Sequence, residues 1–278
     1  MYSVPPVSIE EINGTVYSVG RWLAVVGVLG IPIHAFMLFS MLTHRSNLYI
    51  AGVPLIVFSI PLVVIYLIAL IKVRKLKDVS GDDLFSTGPI VVIAGIIFSL
   101  ITSLLLMSAF LNFSPEIPFA IFQPLFFFTW FMFMSIANLI VLVGNIILAI
   151  AFWHFGEMNK SNLICLGAVL QAFLSVMFLN ILGDIGLLII GLGLYFLASK
   201  SRETISSTTT LMSVRNYLSR NLPSGTTVDL RVIAKEHDLP PYVLIPLVKR
   251  WIATGELKGM VSGHKYISYG TEAEYMQA

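Results

Sequence analysis

Long uncharged apolar runs dominate this chain, and they leave few folds open. A helix that crosses a bilayer needs about 20 predominantly apolar residues. Six runs of that kind can be drawn, at approximately 20–41, 49–71, 89–111, 126–152, 162–179 and 183–198. Inside lipid, backbone polar groups must be satisfied within the protein, so a single apolar run folds as a helix. The composition points the same way: 57% of the 278 residues are hydrophobic and 12% are charged. The mean hydropathy of +0.88 lies far from that of a soluble domain. The expected class is therefore a membrane all-α protein: a six-helix transmembrane bundle over 1–199, with a smaller domain after it.

The division of the last two runs is the least obvious. Residues 163–198 are too long for one helix, and the polar Asn180 and Gly183-Asp184 interrupt them. A tight hairpin there gives six spans; without it there are five. Basic residues favour six, because Lys and Arg collect on the cytoplasmic side. Lys72, Arg74, Lys75 and Lys77 follow the second run, Lys160 follows the fourth, and Lys200 and Arg202 follow the sixth. The loop after the third run has Glu116 and no Lys or Arg. Six spans put every basic segment except Arg45 on one side, with both termini cytoplasmic. The expected location, from the compactness of the chain and the absence of visible targeting signals, is a prokaryotic plasma membrane. The segment 113–124, with Pro115, Pro118 and Pro124 among phenylalanines, is expected at the outer interface. Residues 1–19 include Glu10 and Glu11 and do not read as a cleavable signal.

Several polar residues inside the runs could carry chemistry. Ser135, Asn138 and Asn145 fall on one side of the fourth run, either lining a path or forming a hydrogen-bonded seam between helices. The seam is the reading adopted. His34 could bind a metal or move protons, but no second histidine stands at ligand spacing, which favours a histidine bonded to a neighbouring helix. Gly183-Asp184 resembles the Gly-Asp pair of presenilin-type intramembrane proteases. That chemistry needs a second aspartate in the membrane, and the runs contain none, so Asp184 is expected at the polar tip of the hairpin. Gly95, Ser99 and Ser103 make a small-residue ridge in the third run, and Gly186 and Gly193 another in the sixth; both suit close helix packing. The lone Cys165 permits no disulfide within the chain. Lys72, Arg74, Lys75 and Lys77, with Lys265 farther on, are candidate contacts for phosphate or lipid, although setting the topology explains the first four equally well. No metal site, cofactor or catalytic constellation is expected.

The remaining sequence is 200–210, polar and read as a linker, then 211–270 and a tail at 271–278. Leu211, Val214 and Leu218 give one apolar helix face, ended by Pro223 and Gly225. Thr226-Thr227-Val228 suits a short strand. Asp229 can cap a helix carrying Leu230, Ile233 and Ala234. A third helix over about 241–254 turns Leu244, Ile245, Val248, Trp251 and Ile252 inward and stops at Gly255. Strands at 257–261 and 265–269 flank the turn Ser262-Gly263-His264.

This order of elements, with Ile233-Ala234, Leu239-Pro240, Val248, Trp251-Ile252, Gly255–Gly259 and Lys265-Tyr266-Ile267, resembles the winged-helix superfamily, in particular the winged helices that end PCI-type scaffold subunits. The resemblance implies a cytosolic α+β domain that binds DNA, RNA or protein. On its third helix the outer face would be Tyr242, Val243, Pro246, Lys249, Ala253 and Arg250. Base edges ask for Arg, Lys, Asn or Gln at the N-terminal end of such a helix. Tyr242, Val243 and Pro246 stand there instead, and the net charge of +2 adds little attraction for nucleic acid. The expectation is a non-enzymatic membrane protein, in contact with lipid, that presents Tyr242, Val243, Pro246, Lys249 and Arg250 to a cytosolic protein partner. A membrane-bound transcription regulator and a small transporter or channel with a regulatory domain are the competing readings.

Overall fold

The computed structural model describes residues 9–43, 48–111, 119–172, 180–204, 208–220 and 222–269. The bundle comprises α1 (Ile9–Thr43), α2 (Leu48–Val73), the short α3 (Leu76–Ser80), α4 (Leu84–Leu111), α5 (Phe119–Met158), α6 (Asn162–Gln171) and α7 (Asn180–Thr204). The C-terminal unit follows as α8 (Thr208–Arg220), β1 (Thr227–Asp229), α9 (Leu230–Glu236), α10 (Pro241–Ala253), β2 (Gly259–Ser262) and β3 (Lys265–Ser268). Among the described residues, four helices are long and apolar enough to cross a membrane: Ile9–Phe36, Leu84–Leu105, Phe131–Met158 and Asn180–Ser201. The chain is a membrane protein.

Helices α1 and α7 run antiparallel in close contact. The approach is possible because glycines face each other there: a Cβ on Gly20 would stand 2.8 Å from the Gly191 carbonyl oxygen. Small residues permit the same approach between α4 and α5, where Gly95 faces Val141 and the Ser99 hydroxyl lies 3.3 Å from Met134 Sδ. Gly186 and Gly193 pack against α6. These ridges serve packing.

Two sequence expectations need correction. Asn180, Gly183 and Asp184 are not a hairpin: they form the first turns of α7. Asp184 is only 1% exposed; its carboxylate is satisfied by a side chain on α1, so it needs no water at a loop tip. The fifth run is helical over Asn162–Gln171, and 173–179 lie outside the described residues. The supposed linker is helical at both ends, because 200–204 prolong α7 and 208–210 open α8. Its serines and threonines looked like loop residues, yet Ser201 returns its hydroxyl to the Leu197 carbonyl at 2.9 Å and stays within the helix. In the segment 113–124, residues 119–124 begin α5, and 113–118 lie outside the described residues. The same is true of Arg45 and of the tail at 271–278.

In the C-terminal unit the elements fall in the expected order. The sheet is antiparallel with β3 central, in the order β1-β3-β2, and Val228 faces Tyr266 across the first pair. Asp229 caps α9 by accepting from the Arg231 amide. Gly255 and Gly263 hold positive φ at 79° and 59°, where a side chain would be strained. Val214, Leu218, Leu230, Ile233, Leu244, Val248, Trp251 and Tyr266 form its buried side. This core is continuous with that of the bundle, and α10 lies against α1 and α3.

Candidate functional site

Two groups of polar residues hold the α1–α7 pair to its surroundings, one at each end. The first is a clasp on α10. The Tyr242 hydroxyl donates to Asn13 Oδ1 of α1 at 2.8 Å and lies 2.6 Å from the Ser201 hydroxyl of α7. The Tyr242 ring stands 6.0 Å from that of Phe155 on α5. A helix leaves its first amides without internal partners, and Pro240 supplies no side-chain cap to α10. Asn159, just past the end of α5, accepts from the Tyr242 amide at 3.4 Å. Burial pushes the Tyr242 phenol up to about 12, against a smaller opposing effect of the Ser201 hydrogen bond.

The face of α10 expected to be free for a partner is therefore covered. Tyr242, Val243 and Pro246 are all buried, because α10 is apolar on two sides: one packs in its own unit and the other meets the bundle. Lys249 is half-buried and stands over Gly81 in the turn before α4. The Lys77 hydrogen bond, at 2.9 Å, holds the Asp83 carboxyl below the usual carboxylate range, and the charge of Lys249 adds a smaller pull. Arg250 is half-buried beside a groove of about 310 Å³ that also touches Ile9, Arg215 and Glu256.

The second group lies within the bundle. His34 Nδ1 of α1 meets Asp184 Oδ2 of α7 at 2.5 Å. Nearby, Asn145 Oδ1 of α5 accepts from the Tyr66 hydroxyl of α2 at 2.9 Å and from Gln171 Nε2 of α6 at 3.2 Å. Gly186, two residues beyond Asp184, packs directly on Gln171, so the two sets adjoin and together draw on five helices. Among the described residues, Gln171 Oε1 is buried without a hydrogen-bond partner. Ionisable groups at this depth are costly unless paired. The His34–Asp184 pair can hold one proton between imidazole and carboxylate, and the amide chain beside it can orient a donor toward Gln171.

The expected seam along α5 is split. Asn145 is fully buried, whereas Ser135 and Asn138 are exposed. Asn138 shares a face with Asn145, but the Gln171 side chain of α6 meets Asn145. Ser135 bonds the Phe131 carbonyl of its own helix at 2.8 Å instead. Lys72 closes α2, Arg74 and Lys75 form the turn after it, and Lys77 lies in α3. The packing of α10 on α3 brings this basic segment beside the C-terminal unit. Lys265 is exposed on β3.

Asn13, Tyr66, Asn159, Gln171 and Ser201 were not expected from sequence. Tyr66 and Gln171 had a usable signal, since each is a polar side chain inside an apolar run. Asn13 and Ser201 had none, because polar residues just outside a span are common. No protein-family model, curated protein or solved structure matches the chain.

Proposed function

We propose that this protein is a multi-pass sensor or scaffold of the plasma membrane that keeps a cytosolic winged-helix domain docked on its bundle and releases it to bind a protein partner. The observation that carries the reading is the Tyr242 clasp. Its two bundle residues, Asn13 and Ser201, stand on the same helices as His34 and Asp184. Seventeen residues of α7 separate Asp184 from Ser201, about 25 Å of helix. A change at the intramembrane pair that shifts α7 against α1 moves both halves of the clasp. Rigid elements with two arrangements are what coupling over such distances requires.

The order of α8 to β3 and the resemblance to winged helices support the domain assignment. The 26 residues of α2 and the run that begins with α6 supply the two further crossings that make six. Lys72, Arg74, Lys75 and Lys160 lie toward the end of the bundle that meets α10, which supports a cytoplasmic C-terminal unit and, with six crossings, a cytoplasmic N-terminus. Protein is preferred over DNA as the released partner because Tyr242 and Val243 offer apolar surface, and tyrosine is a frequent interface hot spot.

The test compares amide exchange at 242–248 in the full-length wild type and in Ser201→Ala. Faster exchange in the variant, with capture of a cytosolic protein that Val243→Ser then abolishes, is the expected result. Unchanged exchange would remove the clasp from the mechanism. Salt-sensitive duplex binding by the released variant would favour the transcription-regulator reading instead.

The His34–Asp184 pair and the Gln171 oxygen, buried without a partner among the described residues, favour a second reading, a proton-coupled transporter whose C-terminal domain regulates it. Proton uptake into proteoliposomes that is lost in Asp184→Asn distinguishes it.

A further inference from the structure

We infer that the groove between α1 and α7 holds one anionic phospholipid of the leaflet nearer Tyr242. The groove encloses about 470 Å³ and is lined by Tyr17, Arg21, Val25, Leu29, Leu192 and Tyr195 among others. It exists because Gly20 and Gly191 bring the backbones together and contribute no side chains of their own to fill the cleft. Arg21 is exposed at this surface and has no ion pair among the described residues. A guanidinium near a span end reaches the headgroup level, and its planar donors fit a phosphate bidentately.

The depth agrees. Arg21 is eight residues beyond Asn13, about 12 Å along α1 from the clasp. The rings of Tyr17 and Tyr195 stand 5.2 Å apart at the same end of the groove, as aromatic residues at headgroup level do. From Arg21 the apolar wall continues eight residues to Leu29, again about 12 Å, most of the roughly 15 Å of hydrocarbon in one leaflet. A cation at one end and an apolar trough of that length match a phosphate and its acyl chain.

The test uses the full-length protein in detergent, with phosphatidylglycerol or phosphatidylcholine of identical chains added, read by native mass spectrometry. The wild type should retain phosphatidylglycerol about fivefold better, the effect of one basic residue on a net-anionic rather than a zwitterionic headgroup. Arg21→Gln should bring the two lipids level. Val25→Trp, which fills the trough and leaves the charge, should lose both and decides the matter if Arg21→Gln does not fold. Lys75→Gln, on the exposed basic turn, should keep the preference. Equal retention of both lipids by the wild type would overturn the assignment. So would a preference that survives Arg21→Gln and Val25→Trp, or a groove closed by a second copy, seen as a lipid-free dimer.

Discussion

His34 Nδ1 and Asp184 Oδ2 lie 2.5 Å apart across 150 residues of sequence and join the first long helix to the last. Removing one member of a buried pair leaves the other without compensation and typically costs about 3–5 kcal/mol, whereas replacing both can be nearly neutral. Asp184→Ala should lower the unfolding temperature of the full-length protein in detergent sharply, and His34→Leu with Asp184→Leu should recover most of the loss. Strict additivity of the two single changes would mean that the pair does not interact.

The two asparagines of α5 should behave oppositely. Asn145 accepts from Tyr66 and Gln171, so Asn145→Leu strands two donors and should cost about 1–2 kcal/mol, the scale of strong interhelical hydrogen bonds in membranes. Asn138→Leu replaces an exposed amide on the outer face and should be neutral or stabilising. Denaturation of the two variants side by side provides the check; equal losses would place Asn138 against protein.

Docking of the C-terminal unit should depend on alkaline pH. The Tyr242 phenol, at 10.0 when free, is pushed to about 12 in the docked state. A group whose pKa is raised on docking favours the docked form fully below its free value and loses that contribution as pH rises through the docked one. The window is therefore pH 10 to about 12. Release of α10, followed by tyrosinate absorbance and by cross-linking of a cysteine pair across the α10–α3 contact, should occur within it. Tyr242→Phe should lose that dependence. A wild-type profile flat across the window would show that Tyr242 is not desolvated.

Much of this architecture was legible locally. Uncharged length marked the spans, and Asp229, Gly255 and Gly263 marked a cap, a helix stop and a turn. What failed depended on distant partners. Asn180, Gly183 and Asp184 have the composition of a turn, yet they lie within α7, where Asp184 finds its partner in His34, far away in sequence. Tyr242, Val243 and Pro246 were readable as an apolar patch, but nothing near them says that the bundle covers it. Asn145 and Asn138 look alike in sequence; Gln171 of α6 pairs with the first, and the second is exposed.

The pairing of α1 with α7 also sets an order of events during synthesis. At about 5–20 residues per second, the 150 residues between His34 and Asp184 take roughly 8–30 s to make. For that time α1 must reside in the membrane with its glycine face open and without its carboxylate. An arginine at position 34 would remain charged throughout. A histidine has a neutral form, so the side chain at that position need not carry a fixed charge before its carboxylate partner arrives.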